Sequence, residues 1–138
     1  MRVVLDTNVV VSALIWSGVP FTLLPAAIDG DVSIFTSPAL LMELHDVLER
    51  PHLASRLHRH RSSVQQALVL YAELATSVAP VSIPRVVPDD PDDDHVIAAA
   101  VAAKADLIVS GDRHLLTLGT HAAIRIVTPS EALGVIAA

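Results

Sequence analysis

Four short apolar runs set the terms of the fold. Arg2 to Leu5, Val32 to Phe35, Leu107 to Val109 and Ile124 to Val127 are rich in Val, Ile and Leu and bounded by polar or turn-forming residues. They have the length and composition of buried strands. Between them lie segments of helical period: Asn8 to Ile15, Phe21 to Ile28 with a disturbance expected at Pro25, two near 52–60 and 63–75, and Asp92 to Ala103. Another helix opens at Ser37-Pro38, with Ser as N-cap and Pro at the first helical position. Thr128-Pro129-Ser130-Glu131 has the capping-box form and opens the last one. Strands alternating with helices predict an α/β chain, a central parallel sheet flanked by helices in three layers. The loop WSGVP at 16–20 and the proline-rich stretch 77–91 are the expected irregular parts. No repeat or linker divides the sequence, which reads as a single domain over 1–138.

Composition narrows the class. The chain is 52% hydrophobic with one Trp, one Tyr and two Phe, so aliphatic residues fill the core, as suits a sheet buried on both faces. It has no cysteine, which excludes disulfides and thiolate metal sites and fits a reducing compartment. Asp6 and Asn8 break the first apolar run too early for a secretory core, and no stretch approaches the ~20 apolar residues of a membrane span. The expectation is a soluble, cytoplasmic protein with no membrane partner. A mean hydropathy of +0.55 is high for this size, and the apolar surface left over predicts a homodimer.

The chemistry lies in the acids that interrupt this apolar pattern. Asp6 ends the first strand in VVLDTN, where a charge is costly unless it is paired or holds a cation. Asp112 follows a later strand in IVSGD. The cluster DDPDDD, residues 89–94, brings Asp93 and Asp94 to the first turn of the helix after it. On the helix after Ser37, the apolar stripe is Leu40, Leu41, Leu44, Val47 and Leu48. Glu43 falls on its border about 40° from Val47, while Asp46 and Glu49 point away. Because α/β sheets bind ligands beyond the carboxyl ends of their strands, these segments deliver carboxylates to one rim. Unneutralised, like charges ~4 Å apart there repel by several kcal/mol. Oxygen ligands without His or Cys fit Mg²⁺ or Mn²⁺, which activate water and stabilise charge on a phosphodiester. Asp6 then reads as a metal ligand, with Asn8 and Ser110 as hydrogen-bonding neighbours.

Other acid-bearing architectures fit less well. DDPDDD is not an EF-hand loop, since the sixth position from Asp89 is Asp94 and not Gly. A phosphotransfer receiver needs a lysine after a late strand, where this chain has SGDRH. A haloacid-type phosphatase needs a second Asp at the position of Asn8.

The order of these signals resembles the PIN-domain family of metal-dependent nucleases, which includes toxins of VapC type. The likeness runs through VVLDTNVVVSAL, SPALLMELHDVLERP, DPDDDHVIAAAVAAKADLIVSGDRHLL and IVTPSEAL, essentially the whole chain. It implies a PIN-like fold and an acidic quartet of Asp6, Glu43, Asp94 and Asp112 as catalytic metal ligands, with Asn8 and Ser110 in support. Asp93 is the alternative third ligand, and Ser110 stands where a threonine is more usual. The resemblance further implies a Mg²⁺- or Mn²⁺-dependent ribonuclease, an endoribonuclease acting as the toxin of a toxin–antitoxin pair. It would form a homodimer held by a cognate antitoxin. The alternative is a PIN fold kept as a non-catalytic binding or assembly module.

A net charge of −6 argues against an RNA substrate, but the charge is unevenly distributed. Arg50, Arg56, Arg59 and Arg61 are four of nine cationic residues and fall in RPHLASRLHRHR. Arg56, Arg59 and Arg61 are the expected RNA-binding arm, guiding the backbone to the acidic rim by phosphate contact.

Overall fold

A computed structural model describes residues 1–16, 23–80, 82 and 91–137. The expected loop after Trp16, the residues Phe21 and Thr22, and most of the proline-rich stretch, 81 and 83–90, lie outside the described residues. Among the described ones, six strands form one sheet: β1 (Arg2–Leu5), β2 (Ser33–Thr36), β3 (Ala75–Ser77), β4 (Leu107–Val109), β5 (Thr120–His121) and β6 (Ile124–Val127). Their order is β3-β2-β1-β4-β6-β5. All neighbours are parallel except β5 and β6, which form an antiparallel hairpin at the outer edge. The fold is therefore mixed α/β with a mostly parallel sheet flanked by helices.

The helices are α1 (Thr7–Ile15), α2 (Leu23–Ile28), α3 (Pro38–Leu48), α4 (Pro51–Arg59), α5 (Val64–Leu74), α6 (Pro91–Ala103), α7 (Arg113–Leu118) and α8 (Pro129–Ala137). Strand alternation sorts their contacts. Val3, Leu5, Ile34, Leu107 and Val109 point to one face and pack with residues of α1, α3, α4, α5 and α8. Val4, Phe35, Ile108 and Ile126 point to the other, against Val96, Ile97, Ala99 and Ala100 of α6 and Leu115 of α7. Fully burying each large aliphatic side chain contributes about 1.5–3 kcal/mol, so this alternation enforces the register. Small residues on α6 let that helix lie close on the centre of the sheet. Among the described residues, no helix is long and apolar enough to cross a membrane.

α3 links the two apolar layers. Its Leu40 belongs to the α6 side, while Leu44, Val47 and Leu48 belong to the other. Ser37 caps it, its hydroxyl accepting from the Leu40 N–H at 3.3 Å, with Pro38 in the first turn. The closing capping box also forms: Thr128 N–H donates to Glu131 Oε1 at 3.1 Å, and Glu131 N–H to Thr128 Oγ1 at 3.2 Å.

Three elements differ from the sequence expectation. β3 occupies residues where the end of a helix and the start of an irregular stretch are expected. Its backbone is recruited by pairing with β2, Ile34 beside Ala75 and Thr36 beside Ser77. The β5–β6 hairpin turns on Ala122 and Ala123, both at positive φ (49° and 66°), as a two-residue hairpin turn requires. Ala-Ala carries no turn signal, so neither turn nor β5 is visible in the sequence. α7 is a short helix that the sequence reading does not include, with Asp112 as its N-cap.

Candidate functional site

The strand order turns around β1. The chain builds outward through β2 and β3 on one side, then crosses to β4 on the other. The crevice at the carboxyl ends of β1 and β4 is thus the switch point where α/β sheets place ligands. Leu5 pairs with Val109 in the β1–β4 register, so the next residues, Asp6 and Ser110, stand side by side. Asp6 N–H donates to Val109 O at 2.9 Å, which carries the pairing one step beyond the strand.

Hydrogen bonds join three of the expected residues. Ser110 Oγ donates to Asp6 Oδ2 at 2.7 Å and accepts from the Asp112 N–H at 2.9 Å. Asp6 Oδ1 accepts from Thr7 N–H at 2.8 Å as the N-cap of α1, and Asp112 Oδ1 accepts from His114 N–H at 2.7 Å as the N-cap of α7. Asp6 is 7% exposed and Ser110 fully buried, whereas Asp112 is half-buried. Each carboxylate thus has one oxygen aligned by its own helix start, and the serine hydroxyl spans the gap between the two segments. Asn8 is exposed on the first turn of α1.

The remaining acids come from the helices that flank this line. Asp93 and Asp94 lie in the first turn of α6, at 4% and 1% exposure. Burial alone does not choose between them. Glu43 is half-buried on α3, between Leu40 and Leu44, which point into opposite layers. Asp46 and Glu49 are exposed and engage His45 instead, as the helical wheel predicts.

A cleft of about 550 Å³ opens between α3 and α6, with Glu43, Asp46 and Arg50 on one side and His95 on the other. Glu43 and Val47 are spaced i and i+4 and so share a face of α3, and Arg50 lies just past that helix, at the N-cap of α4. Arg50 and His95 escape a search for acids. The available signals were Arg50 just after the Glu43 helix, and His95 directly after Asp94. Among the described residues, no three His, Asp or Glu side chains are close enough together to form a ready metal cage. The structure therefore joins Asp6, Ser110 and Asp112 directly and brings Glu43, Asp93 and Asp94 in on adjoining helices.

The three arginines of the basic arm separate. Arg59 and Arg61 are exposed at the end of α4 and just past it. Arg56 is half-buried, its guanidinium 3.8 Å from the centre of the Trp16 ring.

A family model described as PIN domain matches residues 2–114, a span that holds every acid of the site. An uncharacterized protein of Methanocaldococcus jannaschii, MJ1680, is 30% identical over 119 residues, covering 86% of this chain and 75% of the relative.

Proposed function

Because this chain belongs to the PIN-domain family, whose members are generally nucleases, we propose that it is a Mg²⁺- or Mn²⁺-dependent endoribonuclease. The observation that carries the reading is the Asp6–Ser110–Asp112 line at the switch point, with buried acids on the adjoining helix α6. The donor set fits a hard cation by its chemistry, since every ligand offered is a carboxylate oxygen. Asp6, Glu43, Asp94 and Asp112 would hold the ion, with Asp93 as the alternative to Asp94. When bound, such an ion supplies positive charge that activates water and stabilises charge on a phosphodiester.

The chain's own groups supply position. Ser110 fixes the rotamer of Asp6 through Oδ2, and the Thr7 N–H fixes Oδ1. The Ser110 oxygen also ties down the backbone from which Asp112 projects. Asn8, exposed beside this line, offers an amide to substrate. The cleft between α3 and α6 gives an extended strand a bed beside Glu43, with Arg50 and His95 as donors. Arg59 and Arg61 extend a positive path for phosphates, without reading bases. Exposed Ile28 and Val69 support a homodimer. A role as the toxin of a cytoplasmic toxin–antitoxin pair, restrained by a cognate antitoxin, completes the reading.

The alternative, a PIN fold kept for binding or assembly, is favoured by one observation: the lack of a ready three-ligand cage among the described residues. Incubation with single-stranded RNA separates the two. Cleavage is expected with Mg²⁺ or Mn²⁺, to stop with EDTA, and to fall by orders of magnitude in Asp6→Asn, Glu43→Gln and Asp112→Asn. Asp93→Asn beside Asp94→Asn identifies the third ligand. RNA that is bound but never cut would establish the binding module, and full activity in Asp6→Asn would place the chemistry elsewhere.

A further inference from the structure

A second cleft, of about 350 Å³, lies among α1, α4 and α5. Its walls include Ile15, Leu57 and Leu70, and its polar groups include Arg56, Ser62 and Gln66. The volume falls within the ordinary range for small-molecule sites, which are mostly apolar with a few polar groups that orient the ligand. Trp16 follows the last residue of α1 and Asp6 precedes the first. At the helical rise this separates Trp16 from the acidic rim by roughly 15 Å, so the cleft is a different place from the nuclease site.

The informative residue is Arg56. Its guanidinium rests on the face of Trp16 at 3.8 Å, and its Nε is buried with no acceptor among the described residues. No ion pair to Arg56 is found among the described residues. A guanidinium partly drawn out of water favours an anion, and its planar fork suits a carboxylate. Trp16 holds the group in place, which lowers the entropy lost when it binds. A lone inorganic anion would leave the apolar walls uncovered. An RNA strand would bring a row of phosphates to a cleft with one arginine. The complement is an apolar body of several carbons with a single negative head.

We infer that this cleft binds a small amphipathic monocarboxylate, with its head on Arg56 and its apolar body against Ile15, Leu57 and Leu70.

Trp16 is the only tryptophan in the chain, so its fluorescence reports the site directly. Titrating the full chain with hexanoate should give a saturable change in Trp16 emission. Hexanamide, the neutral analogue, and inorganic phosphate, the anion without an apolar body, should each bind at least tenfold more weakly. Arg56→Gln should weaken hexanoate at least tenfold. Leu70→Glu, on a half-exposed residue whose replacement spares the core, should do the same by setting a negative charge at the wall. Matching circular dichroism spectra establish that both variants are folded. No saturable response to hexanoate in the wild type overturns the inference. Equal binding of hexanamide, or undiminished binding in both variants, also overturns it. So does a change in emission that follows protein concentration instead of hexanoate, which would make the cleft a contact between two copies.

Discussion

Asp6 and Asp112, just beyond β1 and β4, turn the chain into helices with their own side chains as caps, whereas Ala122 and Ala123 turn it at the outer edge with no suitable side chain at all. The same contrast recurs at the helix ends. Arg61 after α4 and Lys104 after α6 take the left-handed conformation usually given to glycine, at φ 59° and 53°. Ser62 N–H and Ala105 N–H reach back to Leu57 O and Ala100 O to close these ends, the Schellman arrangement. At the acidic rim, local chemistry and global fold agree. At the outer turns the fold overrides local preference, because the strands and helices on either side are already committed to the core. The rim carries the candidate site, and the same residues proposed to hold an ion also fix the backbone that presents them.

That double role can be taken apart. Asparagine caps a helix as well as aspartate, so Asp6→Asn should keep α1 intact while removing a charge. Its melting temperature without metal should stay close to that of the wild type, since the reduced repulsion at the rim offsets the weakened bond to the Ser110 hydroxyl. Saturating Mg²⁺ or Mn²⁺ should stabilise the wild type by about 2.7 kcal/mol at a hundredfold excess over Kd, and Asp6→Asn far less. Equal responses in the two proteins would mean that Asp6 is a cap and nothing more.

Ser110→Ala tests the bond that joins the two caps. It removes a donor from Asp6 and an acceptor from the Asp112 N–H in a fully buried position, and should cost about 1–3 kcal/mol in chemical denaturation. A loss well under that range would show that the rim does not depend on the serine.

At the outer edge the sign should reverse. Replacing Ala122-Ala123 by Asn-Gly supplies residues that favour positive φ and should raise stability by about 1 kcal/mol. A loss of stability would show that the two alanines make contacts worth more than the turn preference.

The smallest effect belongs to the last helix. The backbone N–H and the hydroxyl of Thr128 hold the Glu131 carboxyl below its ordinary value of 4.5. A lowered carboxylate pKa contributes stability above the unfolded value, and the contribution is lost as pH falls through the folded one. The melting difference between wild type and Glu131→Gln should therefore be small and constant near neutrality and close in acid below pH 4.5. A difference that persists in acid would assign the effect to packing, not to the charged cap.

Particular residues show how far the sequence could be read. β4 and β6 have the expected bounds, and β2 is shifted by one residue, because Val32 is buried beside the strand without joining it. Ser37-Pro38 and the Thr128–Glu131 box open their helices, and Glu43 takes the half-buried position that its phase on the wheel predicts. Each depends on neighbours within a few residues, where pattern and capping chemistry act directly. Asp6 and Asp112 were also legible, as charges set into apolar runs at strand ends.

The tertiary structure alone decided the rest. Ala75–Ser77 has no strand pattern and becomes one because β2, some forty residues earlier, offers a free edge of backbone donors and acceptors. The sequence expects Ser110 beside Asp6, but the bond between them is made by the register of two strands a hundred residues apart. Arg56 looks like its arginine neighbours in the sequence, yet it leaves their company to stack on Trp16. Such pairings reflect which surfaces a closed core brings together, and no local rule of helix or turn encodes them.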